Sequence, residues 1–147
     1  MLKILFLCTG NSCRSQMAEG WVRHLKGSRI QAASAGIEKR VLDPRAVKVM
    51  AEVGVDISHH HSKLVDELDD LDFDYVITVC DNARESCPLF PGQAIVVHRS
   101  FDDPPALAER ELSEEAKLAH YRRVRDEIKE FVEGLPETLT DPHEKLT

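Results

Sequence analysis

An apolar run that ends on a cysteine, then a glycine-containing turn, then an amphipathic stretch, constrains this chain more than any other feature. Lys3-Ile4-Leu5-Phe6-Leu7 is almost unbroken in its apolar character, which reads as a parallel strand buried on both faces. From Gln16 to Lys26 the apolar residues Met17, Ala18, Trp21, Val22 and Leu25 recur at helical spacing. Between them lie Cys8-Thr9-Gly10-Asn11-Ser12-Cys13-Arg14-Ser15. These eight residues must bridge a strand's carboxyl end and a helix's amino end. A helix start offers free N–H groups and partial positive charge, so it attracts anions. Gly10 lets the backbone curl until successive N–H groups of Thr9, Asn11 and Ser12 converge as a nest. Arg14 adds a planar fork suited to two oxygens of one tetrahedral anion. The same field favours a thiolate at Cys8, to which Ser15 can donate a hydrogen bond. The plain alternative, a buried strand-end cysteine beside a solvated arginine, does not account for strand, turn, glycine and helix occurring together.

The rest of the chain supplies an α/β context. With 147 residues it has enough length for one domain with its own core. Ile30 to Ala35, Tyr75 to Val79 and Ala94 to Val97 read as three further strands. Asp43-Pro44 marks a helix start, a side-chain cap followed by proline in the first turn. Ala46, Val47, Met50, Ala51 and Val53 carry that helix as far as Gly54. Ser62 reads as the cap of a short helix through Leu64, Val65, Leu68 and Leu71. Ser113 opens the last helix, where Tyr121, Val124, Ile128 and Phe131 repeat before Gly134. Alternating strands and helices predict a four-stranded parallel sheet flanked by helices on both faces, in a single domain over residues 1–134. Residues 135–147 read as a mobile tail. Ligands of such sheets bind beyond the strands' carboxyl ends. Cys8, Cys80 and the residues after Val97 all fall on that edge.

Composition narrows the partners. The formal net charge is −7 with no basic stripe, which argues against a nucleic-acid surface. No apolar run nears the roughly 20 residues of a membrane helix. Residues 2–7 are too short for a signal-peptide core, so a cytoplasmic location is expected, and no membrane partner. Four cysteines in such a compartment point to catalysis, redox chemistry or metal binding rather than structural disulfides.

Cys80-Asp81-Asn82-Ala83-Arg84-Glu85-Ser86-Cys87-Pro88 sets two thiols seven positions apart. Known zinc spacings are shorter, and the consecutive His59, His60 and His61 diverge on any regular element, so no metal site is expected. Two plain buried cysteines remain an alternative, but a thiolate at Cys8 on the same sheet edge favours a thiol relay. Seven helical residues span roughly 10 Å, whereas a disulfide needs Cα atoms within about 7 Å. A helix over 81–87 would therefore have to unwind before Cys80 and Cys87 could pair. A third constellation is His98-Arg99-Ser100-Phe101-Asp102-Asp103-Pro104-Pro105. An aspartate there could exchange a proton with a bound oxyanion, although position alone favours Asp102 or Asp103 as a helix cap.

Together these motifs resemble the thioredoxin-coupled arsenate reductases, which share the low-molecular-weight tyrosine phosphatase fold. The resemblance runs from about residue 3 to 133. It rests on Cys8 to Trp21, Ser34-Ala35-Gly36-Ile37, the Cys80/Cys87 pair and Phe101-Asp102-Asp103-Pro104. It implies that Cys8 attacks arsenate held by the amides of residues 9–14 and by Arg14, and that Asp103 protonates the leaving oxygen. It further implies a Cys8–Cys80 disulfide with release of arsenite, then a Cys80–Cys87 disulfide reduced by thioredoxin, with no bound cofactor. Phosphate and sulfate are the expected mimics of the substrate, and a monomer is the expected state. Cys13 matches a position outside the relay. In many relatives a potassium ion braces the loop near positions matching Asn11, Glu19, Ser34 and an aspartate. Lys63 stands at the aspartate's position, where its ammonium could replace the cation and pair with Glu19, or simply be a solvated lysine. The alternative enzyme is a low-molecular-weight phosphotyrosine phosphatase using Cys8, Arg14 and Asp103. Such enzymes usually carry Asp-Pro-Tyr where this chain has Asp103-Pro104-Pro105. A non-enzymatic binder of arsenite or metal ions would need neither Arg14 nor the anion loop.

Overall fold

The computed structural model describes residues 1–70, 72–80 and 94–139. Strands β1 (Leu2–Cys8), β2 (Ile30–Gly36), β3 (Tyr75–Thr78) and β4 (Ile95–His98) form one sheet in the order β2-β1-β3-β4. All three pairings are parallel, with Cys8 opposite Gly36 and Leu7 opposite Thr78. The helices are α1 (Arg14–Lys26), α2 (Pro44–Glu52), α3 (Pro104–Ala108) and α4 (Glu114–Glu133). β1 is central, and the chain leaves it towards β2 on one side and β3 on the other. That reversal of direction opens a crevice at the carboxyl end of β1.

The apolar run behaves as its composition demands. Ile4, Leu5, Phe6 and Leu7 are each fully buried, so both faces of β1 are covered. Each such side chain contributes about 1.5–3 kcal/mol relative to exposure. On one face α1 lies against the sheet, and its Glu19 accepts a hydrogen bond from Ser34 of β2 at 2.6 Å. On the other face, Lys3 lies with its ammonium 5.9 Å from the Phe73 ring centre. Trp21 ties α1 to α4 by donating its indole N–H to the Arg125 carbonyl at 3.1 Å.

The local start signals operate as side-chain chemistry predicts. Asp43 accepts from the Arg45 amide at 2.9 Å, and Ser113 accepts from the Ala116 amide at 3.1 Å. Two expectations change. Ser62 caps no helix. Its hydroxyl donates to the Gly10 carbonyl at 2.8 Å and accepts from the Arg40 amide at 3.2 Å. The segment behind it forms only a 3-10 turn, Val65–Glu67, where the Glu67 carboxylate accepts from the Leu64 amide at 2.7 Å. The packed chain also runs beyond residue 134. Leu135 and Leu139 are buried, and the Leu139 carbonyl accepts from the Tyr75 hydroxyl at 2.9 Å. The expected helix over 81–87, together with Leu71 and residues 140–147, lies outside the described residues.

Candidate active site

The loop between β1 and α1 is built around one sulfur. Cys8, only 3 % exposed, ends β1. Its Sγ accepts from the Asn11 amide at 3.2 Å and lies 2.9 Å from the Ser15 hydroxyl. α1 begins directly behind at Arg14, and its N-cap residue Cys13 makes no side-chain cap bond. The helix's first N–H groups are therefore left to whatever the loop encloses.

The curl sits at Asn11 rather than at Gly10. Asn11 has φ of 50°, a left-handed conformation that asparagine tolerates better than most residues. It is fully buried and held from three sides. Its carboxamide oxygen accepts from the Lys63 amide at 2.9 Å and from Gln16 at 3.1 Å, while its Nδ2 donates to Ser15 Oγ at 2.9 Å. Gln16 Nε2 also faces the Asn11 and His61 carbonyls at 3.1 and 3.0 Å. Gln16 Oε1 must then be the acceptor facing His60 Nδ1 at 2.9 Å. These bonds point one way, from His60 through Gln16 and Asn11 to Ser15, whose hydroxyl meets the Cys8 sulfur. Such a chain of hydrogen bonds polarises cooperatively.

Beneath it lies a buried charge cluster. Glu19, 3 % exposed, faces Arg23 at 2.9 Å, His60 Nε2 at 3.7 Å and the Lys63 ammonium at 4.0 Å. Burial pushes the Lys63 and His60 pKa values down, and Glu19 opposes both shifts. The site does not suit a potassium ion, because Glu19 already faces two cationic side chains. The Lys63 ammonium does not reach Asn11, which it meets through its backbone amide instead. Among the described residues no cluster of three or more His, Cys, Asp or Glu side chains is arranged to hold a metal.

A cavity of about 310 Å³ opens over the loop. Thr9, Gly10, Ser12 and Cys13 form part of its wall, and Cys8, Arg14, Cys80 and Asp103 line it as well. Cys80 follows β3, where the Val79 amide donates to the Leu7 carbonyl at 2.9 Å. Its sulfur receives the Thr9 amide at 3.1 Å and lies 3.1 Å from the Thr9 hydroxyl. Two thiols thus border one anion cavity. Arg14 donates to the Phe101 carbonyl at 2.9 Å and sits 3.6 Å from Asp103. Asp103 occupies the N-cap position of α3 but makes no cap bond. Pro105 at the second helical position lacks an N–H, the Ala106 amide at the third is not used by Asp103, and the carboxylate faces Arg14 instead. Asp102 pairs instead with Arg123 at 3.0 Å. Burial, with Asp43 nearby, pushes the Cys13 thiol well up, which keeps it protonated and unreactive. Cys87 lies outside the described residues.

Sequence reasoning missed four contributors: Gln16, Arg40, His60 and Ser62. Gln16 stands in the first turn of α1 beside the motif, which was a usable signal. The other three reach the loop from 30 to 52 positions away, and no local pattern marks them.

A profile of the low molecular weight phosphotyrosine protein phosphatase family matches residues 3–145, and the chain belongs to that family. Its relatives there are more specific. An arsenate reductase of Bacillus subtilis (strain 168) is 48 % identical over 134 residues, covering 88 % of this chain and 94 % of the relative. An arsenate reductase of Halalkalibacterium halodurans is 47 % identical over 135 residues, covering 92 % and 95 %. Among solved structures, an arsenate reductase in the phosphate binding state superimposes with a TM-score of 0.79 at 35 % identity, covering 95 % of this chain and all of that one. A low molecular weight protein tyrosine phosphatase from T. tengcongensis gives 0.75 at 26 % identity, covering 94 % and 99 %.

Proposed function

We propose that this protein reduces arsenate to arsenite with Cys8, Cys80 and Cys87, and that thioredoxin returns it to the reduced state. The observation that carries the reading is the second thiol. Phosphate-ester hydrolysis needs one nucleophile, an arginine and an acid, whereas Cys80 borders the same cavity as Cys8, with its sulfur held by the Thr9 amide and in contact with the Thr9 hydroxyl.

The chemistry follows from these positions. The Cys8 thiolate attacks the arsenic of bound arsenate while the loop amides and Arg14 hold the oxygens. Asp103 gives a proton to the departing oxygen, which leaves as water. The Cys80 thiolate then attacks Cys8 Sγ. The electron pair of the arsenic–sulfur bond goes to arsenic, which leaves as arsenite, and a Cys8–Cys80 disulfide remains. Cys87 attacks Cys80, freeing the Cys8 thiolate, and two electrons from thioredoxin reduce the resulting Cys80–Cys87 disulfide. Cys80 and Cys87 can pair only if the segment between them is not helical at that moment. Asn11, Glu19 and Ser34 support the loop, with Lys63 supplying positive charge beside Glu19.

The test is NADPH-coupled turnover of arsenate with thioredoxin and thioredoxin reductase. Cys8→Ser should abolish it. Cys87→Ser should stop after one turnover with Cys8 bonded to Cys80 in peptide maps, and a Cys8–Cys13 bond would remove Cys80 from the scheme. The family match and the 0.75 TM-score to a tyrosine phosphatase support a second activity, hydrolysis of p-nitrophenyl phosphate. That reaction should require Cys8, Arg14 and Asp103 but survive Cys80→Ser.

A further inference from the structure

A chain with formal charge −7 must draw a multiply charged anion into a cavity that also presents Asp103. Arg14 cannot do this from outside. Its side chain is only 12 % exposed and already engages Phe101 and Asp103. Arg40 differs in every respect that matters. It lines the same cavity, and its side chain is 55 % exposed. Among the described residues its guanidinium is held only by Glu38, at 3.0 Å, which is 56 % exposed. An exposed pair of this kind contributes little and exchanges readily.

The backbone beneath that guanidinium is fixed to the loop. The Ile37 and Glu38 amides both donate to the Thr9 carbonyl at 2.9 Å. The Arg40 amide donates to Ser62 Oγ, whose hydroxyl donates to the Gly10 carbonyl. The stem lies in the space that Gly10 leaves by having no side chain. A Cβ there would come within 2.5 Å of Arg40 Cδ and 3.0 Å of Cγ. The anchored stem and weakly held head place a mobile cation at the mouth of the cavity. We propose that Arg40 is the second arginine of the anion site, exchanging Glu38 for an incoming tetrahedral oxyanion. This inference rests on the reading that the cavity takes such an anion. Arg40 acts on capture and affinity, because it approaches from the solvent side while the thiols and Asp103 perform the chemistry.

Calorimetric binding of inorganic phosphate, with arsenate kinetics in parallel, tests it on wild type, Arg40→Ala, Arg40→Lys and Arg29→Ala. Arg29 is an equally exposed arginine paired with Glu137 and absent from the cavity lining, so it controls for net charge. Arg40→Ala should weaken phosphate about fivefold, in keeping with an exposed charge contact, and raise KM by a similar factor with kcat little changed. Arg40→Lys should fall between the two, and the losses should shrink at high salt. Unchanged phosphate binding in Arg40→Ala, an equal loss in Arg29→Ala, or a fall in kcat at constant KM would overturn the proposal. Wild-type protein that neither binds phosphate nor turns over arsenate would refute the oxyanion reading itself.

Discussion

Gly36 is the position where a single added methyl group should damage the site without touching a functional side chain. It pairs with Cys8 at the carboxyl end of β2, and its amide donates to the Lys63 carbonyl at 2.8 Å. A Cβ there would lie 2.8 Å from the Asn11 amide nitrogen, 2.9 Å from the Gly10 carbonyl carbon and 2.9 Å from the Thr9 carbonyl oxygen. All three are backbone atoms of the anion loop, so no rotamer change relieves the clash. Ordinary contact begins near 3.4 Å, which requires the loop to retreat by roughly 0.6 Å. A 1 Å misplacement costs about 100-fold in rate, so this shift should lower kcat/KM about tenfold or more. The overpacking should also destabilise the fold by about 1–3 kcal/mol. Gly36→Ala is assayed by arsenate turnover and by thermal unfolding. Gly54→Ala serves as the comparison. Gly54 has φ of +81° and nothing within 4 Å of its would-be Cβ, so alanine should cost about 1 kcal/mol of stability and leave turnover intact. A Gly36→Ala protein with wild-type kinetics, or a Gly54→Ala protein with impaired kinetics, would refute the packing argument.

The His60 pKa is lowered by burial, so between its lowered folded value and the ordinary 6.5 the unfolded chain binds the extra proton. Stability should therefore fall as pH drops below about 6.5. Glu19, Arg23, His59 and Lys63 all act on this group, and His60→Gln should flatten that part of the Tm-against-pH curve. An unchanged slope between pH 5 and 7 would remove His60 from the linkage. If the Lys63 ammonium does the work of a potassium ion, wild-type turnover should be the same in sodium and potassium salts at fixed ionic strength. Lys63→Asp should create a potassium requirement, and marked potassium dependence of the unaltered protein would contradict this. Asp103→Asn removes the carboxylic acid facing Arg14, the proton donor of the proposed mechanism. It should lower arsenate turnover by about 100-fold or more, in line with general acid catalysis, with Tm nearly unchanged because Asp103 makes no cap bond.

What the sequence by itself determined was local. The buried strand β1, the loop from Cys8 to Ser15, the start of α1 and the caps at Asp43 and Ser113 depend on residues within about one or two turns of each other, and their chemistry acts at that range. The place of Cys80 at the carboxyl edge of the sheet, beside Cys8, was legible too, because parallel strands with intervening helices send every carboxyl end to the same side. The fate of Asp103 was half legible. Position suggested a cap, yet Pro105 removes one of the two amides that a cap can use, and the carboxylate faces Arg14 instead. Only the tertiary structure decided what stands around the loop. Ser62 read as a helix cap because its neighbours are polar and apolar in the right order, but the Gly10 carbonyl and the Arg40 amide claim its hydroxyl. Gln16 and His60, 44 positions apart, meet through one hydrogen bond, and Gly36 is a glycine because the anion loop passes over it. These contacts are set by how β2 and the chain around residues 60–63 pack on the end of β1. Packing between distant segments leaves no periodicity in the sequence, so the parts played around the loop by Arg40, His60 and Ser62 were invisible until the chain was folded.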